Sequence, residues 1–125
     1  FFHNFPADME RDECEIQKGS DFFKWTVPVH WVVSNPPFSQ LTRWLEHTMN
    51  IATVGFAYIM PTYSLTHRRL MLIESFGFYC EKTIIIENPK SWNIGFTMAY
   101  YVFKKNGLRN TRVLGDRLPV QQRLF

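Results

Sequence analysis

The sequence predicts an α/β fold whose sheet is mostly parallel and ends in an antiparallel hairpin. Apolar runs rich in β-branched and aromatic residues alternate with stretches of helical periodicity, which is the pattern of strands connected by helices. The last two apolar runs are separated by too few residues for a helix, so they predict the hairpin. With 125 residues, of which 46% are hydrophobic and 17% aromatic, the chain has enough apolar surface for one dense core.

Composition also limits the class of protein. The longest apolar runs, such as residues 54–61, are far shorter than the ~20 residues of a membrane span, and no signal peptide is visible. We therefore expect a cytoplasmic protein without membrane contact. Cys14 and Cys80 are far apart and no second pair accompanies them, which predicts reduced core residues. No metal is expected, since no metal-ligand spacing relates the four histidines.

The net charge of +3 conceals an asymmetry between the two ends of the chain. The first 15 residues contain five acidic residues against the single base Arg11, whereas six basic residues face only Asp116 from Lys104 onward. A basic tail binds phosphates, which makes nucleic acid a natural partner, but an ordinary solvated terminus explains the charge equally well. We expect one domain over residues 1–105 and a basic irregular tail over residues 106–125.

The first part of the chain predicts a short strand and a turn that lead into a buried strand. Residues 13–16 can form a short strand that ends near Glu15, and residues 17–20 form a polar turn. Asp21 follows at this turn, ahead of two phenylalanines. Residues 29–33 then predict a short buried strand, because they are rich in β-branched and aromatic side chains.

A helix and a second buried strand come next. Ser39 is a candidate N-cap, and the apolar residues after it repeat at the i, i+3, i+4, i+8 spacing of one helical stripe. These residues are Leu41, Trp44, Leu45 and Met49. Residues 53–60 are apolar enough for a fully buried parallel strand, which Pro61 closes. Just beyond it, Tyr63 either borders a site at the strand end or serves only in packing.

A second helix and the hairpin end the predicted domain. Ser64 or Thr66 is the predicted N-cap of a helix that runs through Glu74, and Gly77 is a favourable C-cap residue. The hairpin strands are predicted at residues 82–87 and 97–103. Residues 88–93 form the loop between them.

Two arginines stand near the start of the second helix. The helix dipole disfavours cations at this end, so Arg68 and Arg69 hint at another role such as phosphate contact.

The sharpest chemical signal is the sequence Asn-Pro-Pro-Phe directly after the first buried strand. Pro36 and Pro37 lack backbone N–H groups and push the chain out of the sheet in an extended conformation. The Asn35 side-chain oxygen and the Pro36 carbonyl can accept hydrogen bonds from an amine. Phe38 offers a face on which a planar group can stack, worth about 1 to 3 kcal/mol for a base. The alternative is a rigid strand-to-helix turn, with Ser39 as the helix cap.

Asn35, Pro36, Pro37 and Phe38 match the signature (D/N/S)PP(Y/F/W) position by position. On this motif the chain resembles the S-adenosylmethionine-dependent amino-methyltransferases, and in particular the small DNA adenine methyltransferases of bacteria and phages. The resemblance covers most of the predicted domain. It implies a Rossmann-like sheet, S-adenosylmethionine as cofactor, DNA as partner and a catalytic motif that binds the target amine. It also implies that Phe38 and Ser39 contact the flipped adenine.

The resemblance implies further contacts outside the motif. Glu15, at the end of a strand, would accept the ribose hydroxyls of the cofactor. Asp21 would lie near the adenine amine of the cofactor, with Phe22 beside its ring. Trp92 and Asn93, in the loop between the last two strands, would help to hold the flipped base. Each has a simpler alternative: a solvated acid, a turn aspartate before a core phenylalanine, and a loop tryptophan that covers the core edge.

The sequence departs from the family in one respect. A glycine-rich cofactor turn such as DPxxGxG should come just before Phe1 and is absent. In doubly wound folds the first strand and its glycine turn make most of the cofactor contacts. The resemblance therefore implies a partial methyltransferase domain at residues 1–105 that lacks its first strand. We expect the chain to be a piece of a longer enzyme and to be inactive on its own.

Two other functions fit the same residues. The signature can also serve methylation of a protein glutamine amide or of an RNA base amine. A different class is a non-catalytic nucleic-acid-binding relic of a methyltransferase, which lost the cofactor turn and kept a basic surface.

Overall fold

The computed structural model describes residues 21–87 and 95–110. The fold is α/β, as predicted, with four strands and two helices among these residues. They are β1 (Val29–Ser34), α1 (Leu41–Ile51), β2 (Ala52–Pro61), α2 (His67–Ser75), β3 (Phe78–Ile86) and β4 (Met98–Lys105). Short 3₁₀ turns precede β1, α1 and α2, at Phe22–Lys24, Phe38–Gln40 and Thr62–Ser64.

The four strands form one mixed sheet in the order β1-β2-β4-β3. Only β1 and β2 are parallel, whereas β4 is antiparallel to both β2 and β3. The predicted mostly parallel sheet is therefore wrong. The sheet differs from the prediction because β4, the second strand of the hairpin, lies between β2 and β3. Those two strands run in the same direction but are not neighbours, so the antiparallel pair of β2 and β4 takes the place of an expected parallel pair, next to the predicted hairpin pair of β3 and β4.

The structure also differs from the prediction at β1, which was expected to be a buried strand. Within the described residues β1 pairs only with β2, so it lies at one end of the sheet. Trp31 is 42% exposed and lies over Gly55, where a Cβ atom would stand 2.7 Å from the indole ring. Val29, Val32 and Val33 are half-buried. The prediction that a further strand is missing stays a prediction.

Several element boundaries shift for local reasons. Ser39 is not the N-cap of α1, because the chain first makes the 3₁₀ turn that contains it, and Gln40 takes the N-cap position without a side-chain bond. β3 starts earlier than the predicted residue 82. Gly77, with φ of 84°, turns the chain from α2 directly into the strand. At α2 the Thr66 hydroxyl accepts a hydrogen bond from the Arg69 amide at 3.3 Å, a true N-cap.

Both helices contribute to one core on the same side of the sheet. The buried face alternates along β2 through Phe56, Tyr58 and Met60, as the two-residue period of a strand requires. Phe56 stacks on Phe103 of β4 with ring centroids 4.6 Å apart. The helices add fully or almost fully buried side chains, namely Leu41, Leu45, Met49, Leu70 and Ile73.

A buried polar contact joins α1 to the middle of the sheet. The Tyr58 hydroxyl is hydrogen-bonded to the Thr48 hydroxyl and also donates to the Trp44 carbonyl at 3.2 Å. Tyr58 and Thr48 are both fully buried. Burial raises the pKa of Tyr58 well above its ordinary value, although the Thr48 bond partly opposes this. The pKa of Tyr101 is raised too, mainly by burial and less by the nearby Cys80.

Two findings bear on the class of protein. In the part of the chain that the structure describes, no helix is long and apolar enough to cross a membrane. Cys80 is a free thiol in the core. Cys14 lies outside the described residues.

We expect alkaline pH to lower the free energy of unfolding. Tyr58 and Tyr101 have raised pKa values in the fold, while in the unfolded chain they ionise near pH 10. The stability they contribute is therefore fully present below about pH 10 and is lost as the pH rises above it. Tyr58→Phe should make this alkaline loss shallower, as measured by urea unfolding at a series of pH values.

At neutral pH the same substitution should lower the free energy of unfolding by about 1 to 2 kcal/mol, because the Thr48 hydroxyl loses a buried partner. Tyr79→Phe is the matched control. Tyr79 is half-buried, and its hydroxyl has no hydrogen-bond partner among the described residues. Identical curves for Tyr58→Phe and Tyr79→Phe would contradict the role given to the Tyr58 hydroxyl.

Candidate functional site

The end of β1 is fixed by α1. The Trp44 indole donates a hydrogen bond to the Ser34 hydroxyl at 3.2 Å, directly before the motif. Pro36 is fully buried, whereas Asn35 on one side and Pro37 on the other are exposed. Pro37 is extended, with φ of −67° and ψ of 134°. The chain therefore leaves the sheet as a stiff segment that is anchored by one proline and presents its neighbours to solvent.

Three aromatic rings from three different connections meet beyond this segment. The Phe38 ring, 48% exposed, packs edge-to-face on Phe96 with centroids 6.3 Å apart. The Tyr63 ring, 62% exposed, meets Phe96 in the same way at 5.5 Å. Phe38 follows β1, Tyr63 follows β2 and Phe96 precedes β4. We call these three residues the aromatic cluster.

The backbone holds two parts of the aromatic cluster together. The Thr62 amide donates a hydrogen bond to the Thr97 carbonyl at 2.9 Å, one residue from Tyr63 and one from Phe96. β2 and β4 are paired up to Pro61 and Met98, so this bond continues their ladder. The parallel pairing of β1 with β2 brings Phe38 to the same edge of the sheet. Exposed aromatic surface held in this way is suited to a flat ligand.

Sequence reasoning left Tyr63 undecided between site and packing, and it missed Phe96. The exposure of Tyr63 favours the first alternative for that residue. A usable signal for Phe96 was present, since it is an aromatic residue directly before β4, in the connection that the resemblance associates with base binding. Trp92 and Asn93, predicted in that connection, lie outside the described residues, and so does Glu15.

The predicted cofactor contacts are engaged in packing and capping. The Asp21 carboxylate accepts a hydrogen bond from the Phe23 amide at 2.9 Å and caps the 3₁₀ turn. Phe22 is 8% exposed. Its ring stacks on Trp44 with centroids 4.5 Å apart and meets the edge of His47 at 4.8 Å. A cofactor contact of Asp21 and Phe22 stays a prediction.

Ser39 lies in a surface depression with Phe38 and the first turn of α1. The structure thus brings Asn35, Pro36, Pro37, Phe38 and Ser39 to one edge of the sheet. Phe22 is connected to this edge only through Trp44, whose ring it stacks on and whose indole bonds Ser34. Asp21 caps the turn next to it. Residues 21–87 and 95–110 contain no group of three or more side chains that could hold a metal ion.

We expect Phe22 to act in folding. Phe22→Ala should lower the free energy of unfolding by about 2 to 4 kcal/mol, because it removes a nearly buried ring from its contacts with Trp44 and His47. Phe23→Ala is the control at the neighbouring, half-buried position and should cost less. Chemical denaturation followed by tryptophan fluorescence measures both. If Phe22→Ala leaves the free energy of unfolding unchanged, the folding role is wrong and the predicted cofactor contact is favoured.

No protein-family model matches the chain, and no curated protein matches it either. The likeness to amino-methyltransferases therefore rests on the motif and on its setting in the fold.

Proposed function

We propose that this chain carries the amine-binding part of an S-adenosylmethionine-dependent DNA adenine methyltransferase. One observation carries the proposal: Asn35 and Phe38 are exposed together at the end of β1, while Pro36 between them is buried. A plain structural turn would not require an exposed phenylalanine. This arrangement leaves a polar acceptor and an aromatic ring accessible three residues apart, and an aromatic amine requires both.

The order of elements supports the proposal in a coarser way. A methyltransferase sheet of this family is Rossmann-like, with parallel strands followed by an antiparallel hairpin. The described part of the chain has one helix-connected parallel pair, β1 and β2, and the hairpin of β3 and β4. We propose that these strands are the C-terminal part of such a sheet, with β1 next to the strand that the resemblance implies.

The chemistry assigned to these residues is positioning and polarisation. The lone pair of an exocyclic amine is delocalised into its ring, which makes the nitrogen a poor nucleophile. Acceptors that hold both amine hydrogens out of the ring plane favour a pyramidal nitrogen. The Asn35 side-chain oxygen and the Pro36 carbonyl are the two acceptors that we propose. S-adenosylmethionine, when bound, supplies an electrophilic methyl group.

The aromatic cluster is the reason that we propose a nucleic-acid base as the substrate. A base in duplex DNA must leave the stack before its amine can be reached, at a cost of a few kcal/mol. Stacking of the extruded base on Phe38 would recover about 1 to 3 kcal/mol of that cost. Tyr63 and Phe96 widen the apolar surface around it. A glutamine amide has no ring to stack, so the cluster favours a base over a protein substrate.

We expect Asn35→Ala in the complete gene product to lower methyl transfer to DNA by about 10² to 10³-fold, the typical effect of losing one polarising group. The assay measures incorporation of labelled methyl groups from S-adenosylmethionine into DNA, with RNA and protein as comparison substrates. Asn50→Ala is the matched control, since Asn50 is an exposed asparagine at the far end of α1. Equal turnover of the two variants would contradict the role of Asn35.

The same assay separates the alternatives. Labelling of RNA or of a glutamine-containing protein in place of DNA would reassign the substrate of the motif. Binding of DNA with no labelling of any substrate would favour the non-catalytic relic.

A further inference from the structure

A groove between the two helices is lined by more cations than carboxylates. It has a volume of about 490 Å³ and is lined by Thr42, Glu46, Thr66, Arg68, Arg69 and Leu72. Thr42, Glu46 and Arg69 also line a neighbouring depression that extends to Arg43 and Phe38. The two depressions are neighbours that share these three lining residues. We call them together the arginine groove, and one end of it reaches the aromatic cluster.

Arg69 is held in a fixed position in the arginine groove. Its Nη1 donates to the Ser64 carbonyl at 2.8 Å, and its Nε donates to the Thr42 hydroxyl at 3.4 Å. A guanidinium has five N–H donors, so these bonds leave three for a ligand. The side chain is half-buried between α1 and the turn that follows β2. A cation fixed in this way loses little conformational entropy when it binds an anion.

The charge balance of the groove favours an anion. Arg43, Arg68 and Arg69 stand against the single carboxylate of Glu46. Arg43 lies over the Phe23 ring at 3.8 Å, while neither Arg68 nor Arg69 is ion-paired with any described residue. Arg68 and Arg69 also belong to the first turn of α2, where the helix dipole is unfavourable to them. Two cations at this end of the helix cost stability, which a binding role would offset.

We propose that the arginine groove binds the phosphodiester groups of the DNA strand whose adenine is presented to Phe38. The identification of that strand as DNA rests on the proposed function, whereas the preference for phosphates follows from the groove itself. Planar guanidinium groups bind phosphate oxygens in a bidentate manner. An extruded base and the phosphates next to it belong to one strand, so a phosphate site must adjoin the base site. The arginine groove does so at Phe38.

The test measures binding of a fluorescein-labelled oligothymidylate of about 12 nucleotides with one central adenine, by fluorescence anisotropy, at several salt concentrations. Each phosphate contact on a single strand contributes about 0.7 to the slope of log affinity against log salt. Arg68→Ala in the complete gene product should weaken binding and lower this slope by about that amount. Lys82→Ala is the control. Lys82 is an exposed cation on β3, the strand at the opposite edge of the sheet from β1. Its slope should equal that of the wild type.

Two further variants strengthen the test. Arg69→Lys keeps the charge but loses the guanidinium fork, so it should weaken binding with little change of slope. Glu46→Gln removes the repelling carboxylate and should tighten binding. Thermal unfolding of each variant checks that the fold is retained. Equal slopes for Arg68→Ala and Lys82→Ala, or no binding of the labelled strand by the wild type, would overturn the inference.

The outcome is separable from that of the proposed function. If the wild type methylates DNA while Arg68→Ala keeps its slope, the groove inference fails and the methyltransferase proposal stands. If Arg68→Ala lowers the slope but neither the wild type nor any variant transfers methyl groups, the phosphate site stands and the enzymatic proposal fails. Tighter binding of an RNA strand of the same sequence would overturn the assignment of DNA.

Discussion

The contacts of one residue, Trp44, set the position of the motif against the helix side of the sheet. Its indole N–H bonds the Ser34 hydroxyl, its backbone carbonyl accepts from the buried Tyr58, and its ring face stacks on Phe22. One residue of α1 thus joins the end of β1, the middle of β2 and the segment before β1. Because Ser34 directly precedes Asn35, the direction in which the motif leaves the sheet is set by the same contacts that pack the helix.

The insertion of β4 determines the rest of the site. If β3 had paired directly with β2, the sheet would have been mostly parallel and the connection before β4 would have lain at an outer edge. With β4 next to β2, that connection is brought over the end of β2, where Phe96 reaches both Tyr63 and Phe38. Strand order is thus what converts three separate aromatic residues into one surface.

The sequence was most informative where local chemistry decides the structure. The helical stripe from Leu41 to Met49, the Thr66 cap and the exposed Phe38 after a strand all follow from short-range patterns. The place of β4 between β2 and β3 did not follow, since hydrophobic periodicity identifies a strand without naming its neighbours. Trp31 was expected in the core on its residue type, yet its burial depends on what lies beside β1. Phe96 was missed because its role comes from a contact with Phe38, far away along the chain.

The hydrogen bond between the Thr62 amide and the Thr97 carbonyl has a mechanical consequence. It joins the connections that carry Tyr63 and Phe96, so a displacement of one carries the other with it. Phe38 is on neither of these connections and is attached to the helix side through Ser34 and Trp44. The distance between Phe38 and the other two rings therefore depends on the parallel pairing of β1 with β2 and on the bond between Ser34 and Trp44, which position Phe38 independently of the bond between Thr62 and Thr97.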